Sequence, residues 1–75
     1  MQLDRLLDDV TQMPEGTSQR QKHIRLTEML TERYGAGSIS EKGVAKWFER
    51  GSIPSAWLLR VISIPKKPLN LANYA

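Results

Sequence analysis

Apolar residues at the start of the chain recur with the spacing of one face of an α-helix. This first stripe has spacings of three, one, three and three residues and comprises Leu3, Leu6, Leu7, Val10 and Met13. Pro14 disfavours helical geometry in the residue before it, and Gly16 adds backbone freedom. We therefore predict a first helix over residues 2–13.

The pattern predicts a second helix over residues 18–34. Thr17 or Ser18 is suited to accept a hydrogen bond from an unpaired amide at its start. The stretch that follows contains neither glycine nor proline until Gly35, and its apolar seam is formed by Leu26, Leu30 and Tyr34. Gly35 to Gly37 then end the helix.

Two shorter helices are predicted after this break, over residues 40–50 and 55–64. Ser40 is the expected N-cap of the third helix and Gly51 its C-terminal stop. Ser55 is the expected N-cap of the fourth, which Pro65 ends and in which Arg60 is the only charged residue. An apolar helix of this kind is expected to be buried on more than one side.

These elements predict a single all-α domain of four helices over residues 1–65. Seventy-five residues leave room for one small core and no second domain. Residues 66–75 show no helical period and are expected to form a non-helical tail or linker. The alternation of Leu69, Asn70 and Leu71 suggests a short strand in this tail, which could pair with that of a second copy.

Composition excludes several classes of function. There is no cysteine and only one histidine, His23, so neither disulfides nor a metal centre is expected, and no cofactor is implied. No apolar run approaches the roughly 20 residues that span a bilayer, and the acidic N-terminus does not resemble a secretory signal. We expect a cytoplasmic protein without membrane contact. No nucleophile with a base and no phosphate loop is recognisable, so we expect neither an enzyme nor a small-molecule substrate.

Charge is divided unevenly along the chain. The formal net charge is +3, but residues 1–17 carry one basic and four acidic side chains, whereas residues 18–75 carry ten basic and four acidic ones. The aspartates of the first helix, Asp4, Asp8 and Asp9, are expected to form a solvated face. The basic remainder indicates a partner that is a polyanion.

Residues 39–54 read Ile-Ser-Glu-Lys-Gly-Val-Ala-Lys-Trp-Phe-Glu-Arg-Gly-Ser-Ile-Pro. This segment resembles the recognition helix of the lambda-repressor/Cro group of phage and bacterial transcription regulators, and the likeness extends over about residues 25–64. The matching positions are the apolar residue and cap before the helix, its two anchors and the turn after it: Ile39, Ser40, Val44, Trp47, Gly51, Ile53 and Pro54. The resemblance implies a lambda-repressor-like helix-turn-helix domain.

The chain departs from that pattern in the connection before the third helix and at two positions within it. The connection Gly35–Ser40 is three residues longer than the family's turn, which suggests a different angle between the helices that it joins. Ala45 replaces a frequent small hydroxyl residue, and Gly43 lies inside the helix at a cost of about 0.5–1 kcal/mol.

The pattern also has a physical reason that does not depend on the family. A helix fits the DNA major groove when one face is anchored and the other carries short polar or basic side chains. Val44 and Trp47 are the expected anchors. The expected DNA-contacting residues of the third helix are Ser40, Glu41, Lys42, Ala45, Lys46 and Arg50. Arg20 and Lys22 of the second helix are further candidates for phosphate contacts.

The fourth helix carries more apolar residues than one small core needs. We therefore expect a homodimer on double-stranded DNA, with an interface that includes Trp57, Leu58, Val61 and Ile62. The main hypothesis is a sequence-specific transcription regulator, in particular a repressor. The alternative is a protein-interaction module on the same fold, such as an antitoxin, an anti-repressor or an oligomerising adaptor.

Overall fold

The computed structural model describes all 75 residues and contains four α-helices and no β-strand. The helices are α1 (Leu3–Thr11), α2 (Gln19–Tyr34), α3 (Glu41–Arg50) and α4 (Ser55–Ile62). A single 3₁₀ turn, Leu71–Tyr74, follows near the C-terminus. The predicted all-α class and the number of helices are thus confirmed. None of the helices is both long enough and apolar enough to cross a membrane.

Side-chain caps fix the starts of α2 and α3. The hydroxyl of Ser18 accepts a hydrogen bond from the Gln21 amide at 3.2 Å, and the Gln21 side chain accepts one from the Ser18 amide at 3.2 Å. This reciprocal arrangement satisfies two amides that the helix leaves unpaired. Ser40 caps α3 in a similar way by accepting from the amide of Gly43 at 3.2 Å. The cap predicted at Ser40 is therefore confirmed, and of the two residues proposed to cap α2 it is Ser18 that does so.

Two predicted helix ends are wrong by about two residues. Gln12 adopts a left-handed backbone conformation with φ of 50°, which ends α1 at Thr11 instead of Met13. α4 ends at Ile62, and Ser63 and Ile64 form tighter bonds to carbonyls three residues earlier. Ser55 is not the cap of α4 but its first residue, because Pro54, which cannot offer a capping side chain, occupies the N-cap position.

All four helices contribute to one core, in which α1 and α2 supply most of the aliphatic side chains. Its buried members are Leu3, Leu6, Leu7, Val10, Leu26, Leu30, Val44, Trp47, Val61 and Tyr74. Each helix therefore has one face fixed inside the molecule and one left to the solvent.

The C-terminal segment packs against α1 and does not form the predicted strand. Tyr74 is buried, and its hydroxyl donates a hydrogen bond to the carboxylate of Asp9 at 2.5 Å. The Gln2 amide donates to the carbonyl of Tyr74 at 2.6 Å, and the Arg5 guanidinium lies 5.6 Å from the centre of the Tyr74 ring. The strand prediction was wrong because a large aromatic side chain gains more from burial in the core than two leucines gain from alternating on an exposed edge.

Candidate nucleic-acid interface

α3 is held on the body of the protein through its apolar face. Val44 and Trp47 are buried in the core, as the sequence pattern predicts. The ring of Phe48 stacks on His23 of α2 with 4.9 Å between centroids, and Trp47 packs against Trp57 of α4 at 5.7 Å. Contacts on two sides therefore fix the rotation of α3 about its own axis.

The opposite face of α3 carries exposed cations. Lys42, Lys46 and Arg50 are all exposed, and none of them forms an ion pair or a side-chain hydrogen bond. Ala45 is half-buried at the edge of this surface, and Ser40 is exposed at the start of the helix. Five of the six predicted α3 residues therefore have no side-chain partner from another element. Ser40 is engaged only as the cap of its own helix, and the exception is Glu41.

Gly43 makes room for the residue that precedes the helix. A Cβ atom at this position would lie 3.1 Å from Cδ1 of Ile39, which is closer than side chains normally approach. The absence of a side chain lets Ile39 pack against the first turn of α3. The cost of a glycine within the helix is thereby offset by burial of part of an isoleucine.

The long connection between α2 and α3 returns the start of α3 to the first turn of α2. Arg20 is the second residue of α2 and Glu41 the first residue of α3. The Nε atom of Arg20 lies 3.3 Å from Oε1 of Glu41. Arg20 remains 81% exposed and Glu41 43% exposed, so the pair is only weakly stabilising. Arg20 therefore belongs to the same surface as α3, whereas the carboxylate of Glu41 is already engaged by a cation.

Lys22 does not belong to this surface, contrary to the sequence-based prediction. Its Nζ atom lies 2.6 Å from Oδ1 of Asp8 on α1, and its side chain is only 20% exposed. Lys22 is two residues after Arg20, which places it about 200° further around the helix. The two cations consequently leave α2 on different sides, and Lys22 links α2 to α1.

His23 has a structural position that the sequence analysis missed. It belongs to α2 and is buried on the side that faces α1 and α3, and its Nε2 atom lies 3.4 Å from Nε2 of Gln19. Burial lowers the pKa of His23 below its usual value of 6.5, and the negative charges of Asp4 and Glu41 partly oppose this shift. The spacing of the sequence could have predicted this burial, because residues 23, 26 and 30 share one face of a helix.

The predicted dimer residues of α4 differ in their availability. Val61 is 1% exposed and belongs to the core, so it has no surface to offer to a second subunit. Trp57 is half-buried and lies between Trp47 and the guanidinium of Arg60. Leu58 and Ile62 are half-buried beside the core.

The most exposed large apolar residue of α4 was not among the predicted dimer residues. It is Leu59, which is 61% exposed. Because an eight-residue helix has only one face toward a core, at least one of its six apolar positions had to lie outside.

Comparison of the chain with protein-family models, curated proteins and solved structures finds no match.

Proposed function

We propose that this protein binds double-stranded DNA sequence-specifically through the exposed face of α3 and acts in the cytoplasm as a dimeric transcription regulator of the repressor kind. The observation that carries the proposal is the division of α3 into two faces. One face is anchored by Val44 and Trp47, and the other carries Lys42, Lys46 and Arg50 without any carboxylate partner.

The chemistry of this face suits the major groove. Lys42 and Lys46 can donate hydrogen bonds to the O6 and N7 acceptors of guanine, and the methyl group of Ala45 can contact the methyl group of thymine. Arg50 and Arg20 suit phosphate groups, as does Ser40 at the positive end of the helix dipole. Glu41, whose carboxylate lies beside Arg20, can accept a hydrogen bond from the amino group of cytosine.

The resemblance of residues 39–54 to the recognition segment of lambda-repressor/Cro regulators supports the same assignment. Ser40 and Gly51 have the local roles that such a segment needs, and the departure at Gly43 has a structural reason. Ser40 caps the helix, Gly43 accommodates Ile39, and Gly51 ends the helix with a left-handed φ of 75°.

Dimerisation through α4 is part of the proposal. Leu59 and its neighbours Leu58 and Ile62 form an apolar strip along one flank of the helix. Two copies joined there would present two α3 helices to successive major grooves, about 34–36 Å apart. We expect bound sequences to be approximate palindromes.

Selection of bound sequences from random duplex DNA tests the proposal directly. The enriched sequences are expected to share a palindromic motif, and their affinity is expected to fall with salt by about 0.9 log units per log unit for each phosphate neutralised. Failure to bind any duplex at low salt would contradict the proposal.

A second candidate function is a protein-interaction module, which the exposed Leu59 favours. Replacement Leu59→Lys separates the two functions when oligomeric state is measured by sedimentation. On the DNA-binding proposal the variant becomes monomeric and loses DNA affinity through lost avidity. A parent protein that is monomeric both free and on DNA would favour the interaction module.

A further inference from the structure

A second group of cations lies on α4 and the end of α2, outside the α3 surface. The guanidinium carbon of Arg60 lies 4.6 Å from the centre of the Trp57 ring and 5.1 Å from that of Tyr34. Aromatic rings attract the flat face of a guanidinium, whose N–H groups lie in its plane. Arg60 is therefore held in place while its hydrogen-bond donors remain available.

Arg33 continues this group in the direction of the C-terminus. Its Nη1 atom donates to the carbonyl of Ile64 at 3.4 Å, four residues beyond Arg60. The guanidinium of Arg33 is therefore held just beyond the C-terminal end of α4, which stops at Ile62. The exposed Lys66 and Lys67 follow Ile64 after one intervening proline. None of these four cations forms an ion pair with a carboxylate.

Two ring contacts connect this group to α3, on the side that anchors α3 to the body of the protein. The Trp47 ring of α3 packs on Trp57 at 5.7 Å, and Trp57 in turn contacts Arg60. The major groove is about 12 Å wide, so phosphates border a helix lying in it on both sides. α4 packs directly against α3 through Trp57, so its cations can meet the phosphates on one side of the groove.

We infer that Arg60 and Arg33 form a second anion-binding site, which takes phosphate groups of the DNA backbone beside the groove that α3 occupies. The inference rests on the proposed function. It leaves the apolar strip of α4 free, because Arg60 and Trp57 lie on one flank of the helix and Leu58, Leu59 and Ile62 on the other.

The charges around the site favour a phosphate chain over an acidic protein segment. Successive cations match an anion that repeats along a strand, and arginine binds phosphate with two parallel hydrogen bonds. The only carboxylate in the adjoining groove, beside Lys66 and Lys67, is that of Asp9, which already accepts a hydrogen bond from Tyr74.

Replacement of each arginine by glutamine tests the site, with affinity for the selected duplex measured by fluorescence anisotropy at several salt concentrations. Arg60→Gln and Arg33→Gln are each expected to reduce the salt slope by about 0.9 and to weaken binding by about tenfold at low salt. The preferred sequence is expected to stay unchanged, since phosphates carry no sequence information. Thermal unfolding checks that both variants remain folded.

Arg25→Gln is the matched control, because Arg25 lies on α2 and is paired with Glu28 at 3.2 Å. It removes the same charge and is expected to leave the slope unchanged. Equal effects of Arg60→Gln and Arg25→Gln would overturn the site, since only net charge would then matter. A parent protein that binds no duplex would overturn the proposed function together with the site. Arg60-dependent binding of poly-glutamate by such a protein would assign the cluster to an acidic protein partner instead.

Discussion

The charged side chains of α1 and α3 are used in opposite ways. Each aspartate of α1 is exposed but bound by a side chain from another element: Asp4 by Gln19, Asp8 by Lys22 and Asp9 by Tyr74. The three cations of α3 have no partner in the chain. Charges that the fold uses for its own cohesion are thus separated from charges that remain available to a ligand. The uneven sequence charge alone does not reveal this difference.

Removal of the unpartnered charges of α3 should have the largest effect on binding. The double replacement of Lys42 and Lys46 by alanine is expected to weaken specific DNA binding by about a hundredfold or more, since a base contact contributes about 1–3 kcal/mol. Stability should change by no more than about 0.5 kcal/mol, because neither side chain has a partner to lose. Anisotropy titration and thermal unfolding measure the two quantities.

Lys22→Ala is the matched control for that experiment, since it removes a lysine that the fold does use. Loss of its pairing with Asp8 is expected to cost about 0.5–1 kcal/mol of stability. The affinity of the folded fraction for DNA should stay at the parent's value. If Lys22→Ala weakened binding as much as the α3 replacements, the distinction between the two regions would fail.

Acid should lower the stability of the fold through His23, which lies on α2 between the regions α1 and α3. Because burial lowers the folded-state pKa of His23, the neutral ring is favoured in the folded protein. Its contribution is fully present above the unfolded pKa of 6.5 and is lost as the pH falls through the lowered folded pKa. We expect the melting temperature to fall as the pH is reduced from 7.5 to 5.

Two variants identify His23 as the source of that acid sensitivity. His23→Gln should flatten the fall, whereas Asp4→Asn should deepen it, because the charge of Asp4 raises the pKa of His23. Parallel melting profiles for the parent and His23→Gln over this pH range would contradict the assignment.

The smallest expected effect concerns Glu41, the one carboxylate of α3 that has a partner. Glu41→Gln frees Arg20 and removes a negative charge from the proposed binding surface, so DNA affinity should rise by a few-fold. The loss of an exposed pair and of a favourable helix-dipole interaction should cost about 0.5–1 kcal/mol of stability. Weaker binding by this variant would instead indicate that Glu41 itself contacts a base.

Local patterns in the sequence predicted the four helices, the caps at Ser18 and Ser40 and the anchors of α3. These features depend on residues within one or two turns of each other. The mistakes about Lys22 and the C-terminal segment involve distant contacts, whereas the misplaced helix ends and the Ser55 cap are local errors of one or two residues. Lys22 pairs with Asp8 and Tyr74 reaches Asp9, and no spacing rule along a single helix contains either contact.

The residues of α4 show a second limit of sequence patterns. Its apolar positions surround the helix, so composition alone could not tell the buried Val61 from the exposed Leu59. The direction of the core, which depends on where α2 and α3 lie, decides between them. The availability of Arg60 likewise depends on the rings of Tyr34 and Trp57, which come from two helices.

The contact between Gln2 and Tyr74 gives the folded chain the topology of a nearly closed ring. We call the contacts of Tyr74 with Gln2 and Asp9 the clasp, and Asp9 and Tyr74 are 65 residues apart in sequence. Closing so long a segment costs more conformational entropy than any turn between successive helices. We therefore expect the clasp to form after the helices have packed. A circular permutant, with its ends joined by a short linker and opened at the exposed Ala36, would make this most distant contact a local one while leaving α3 uncut.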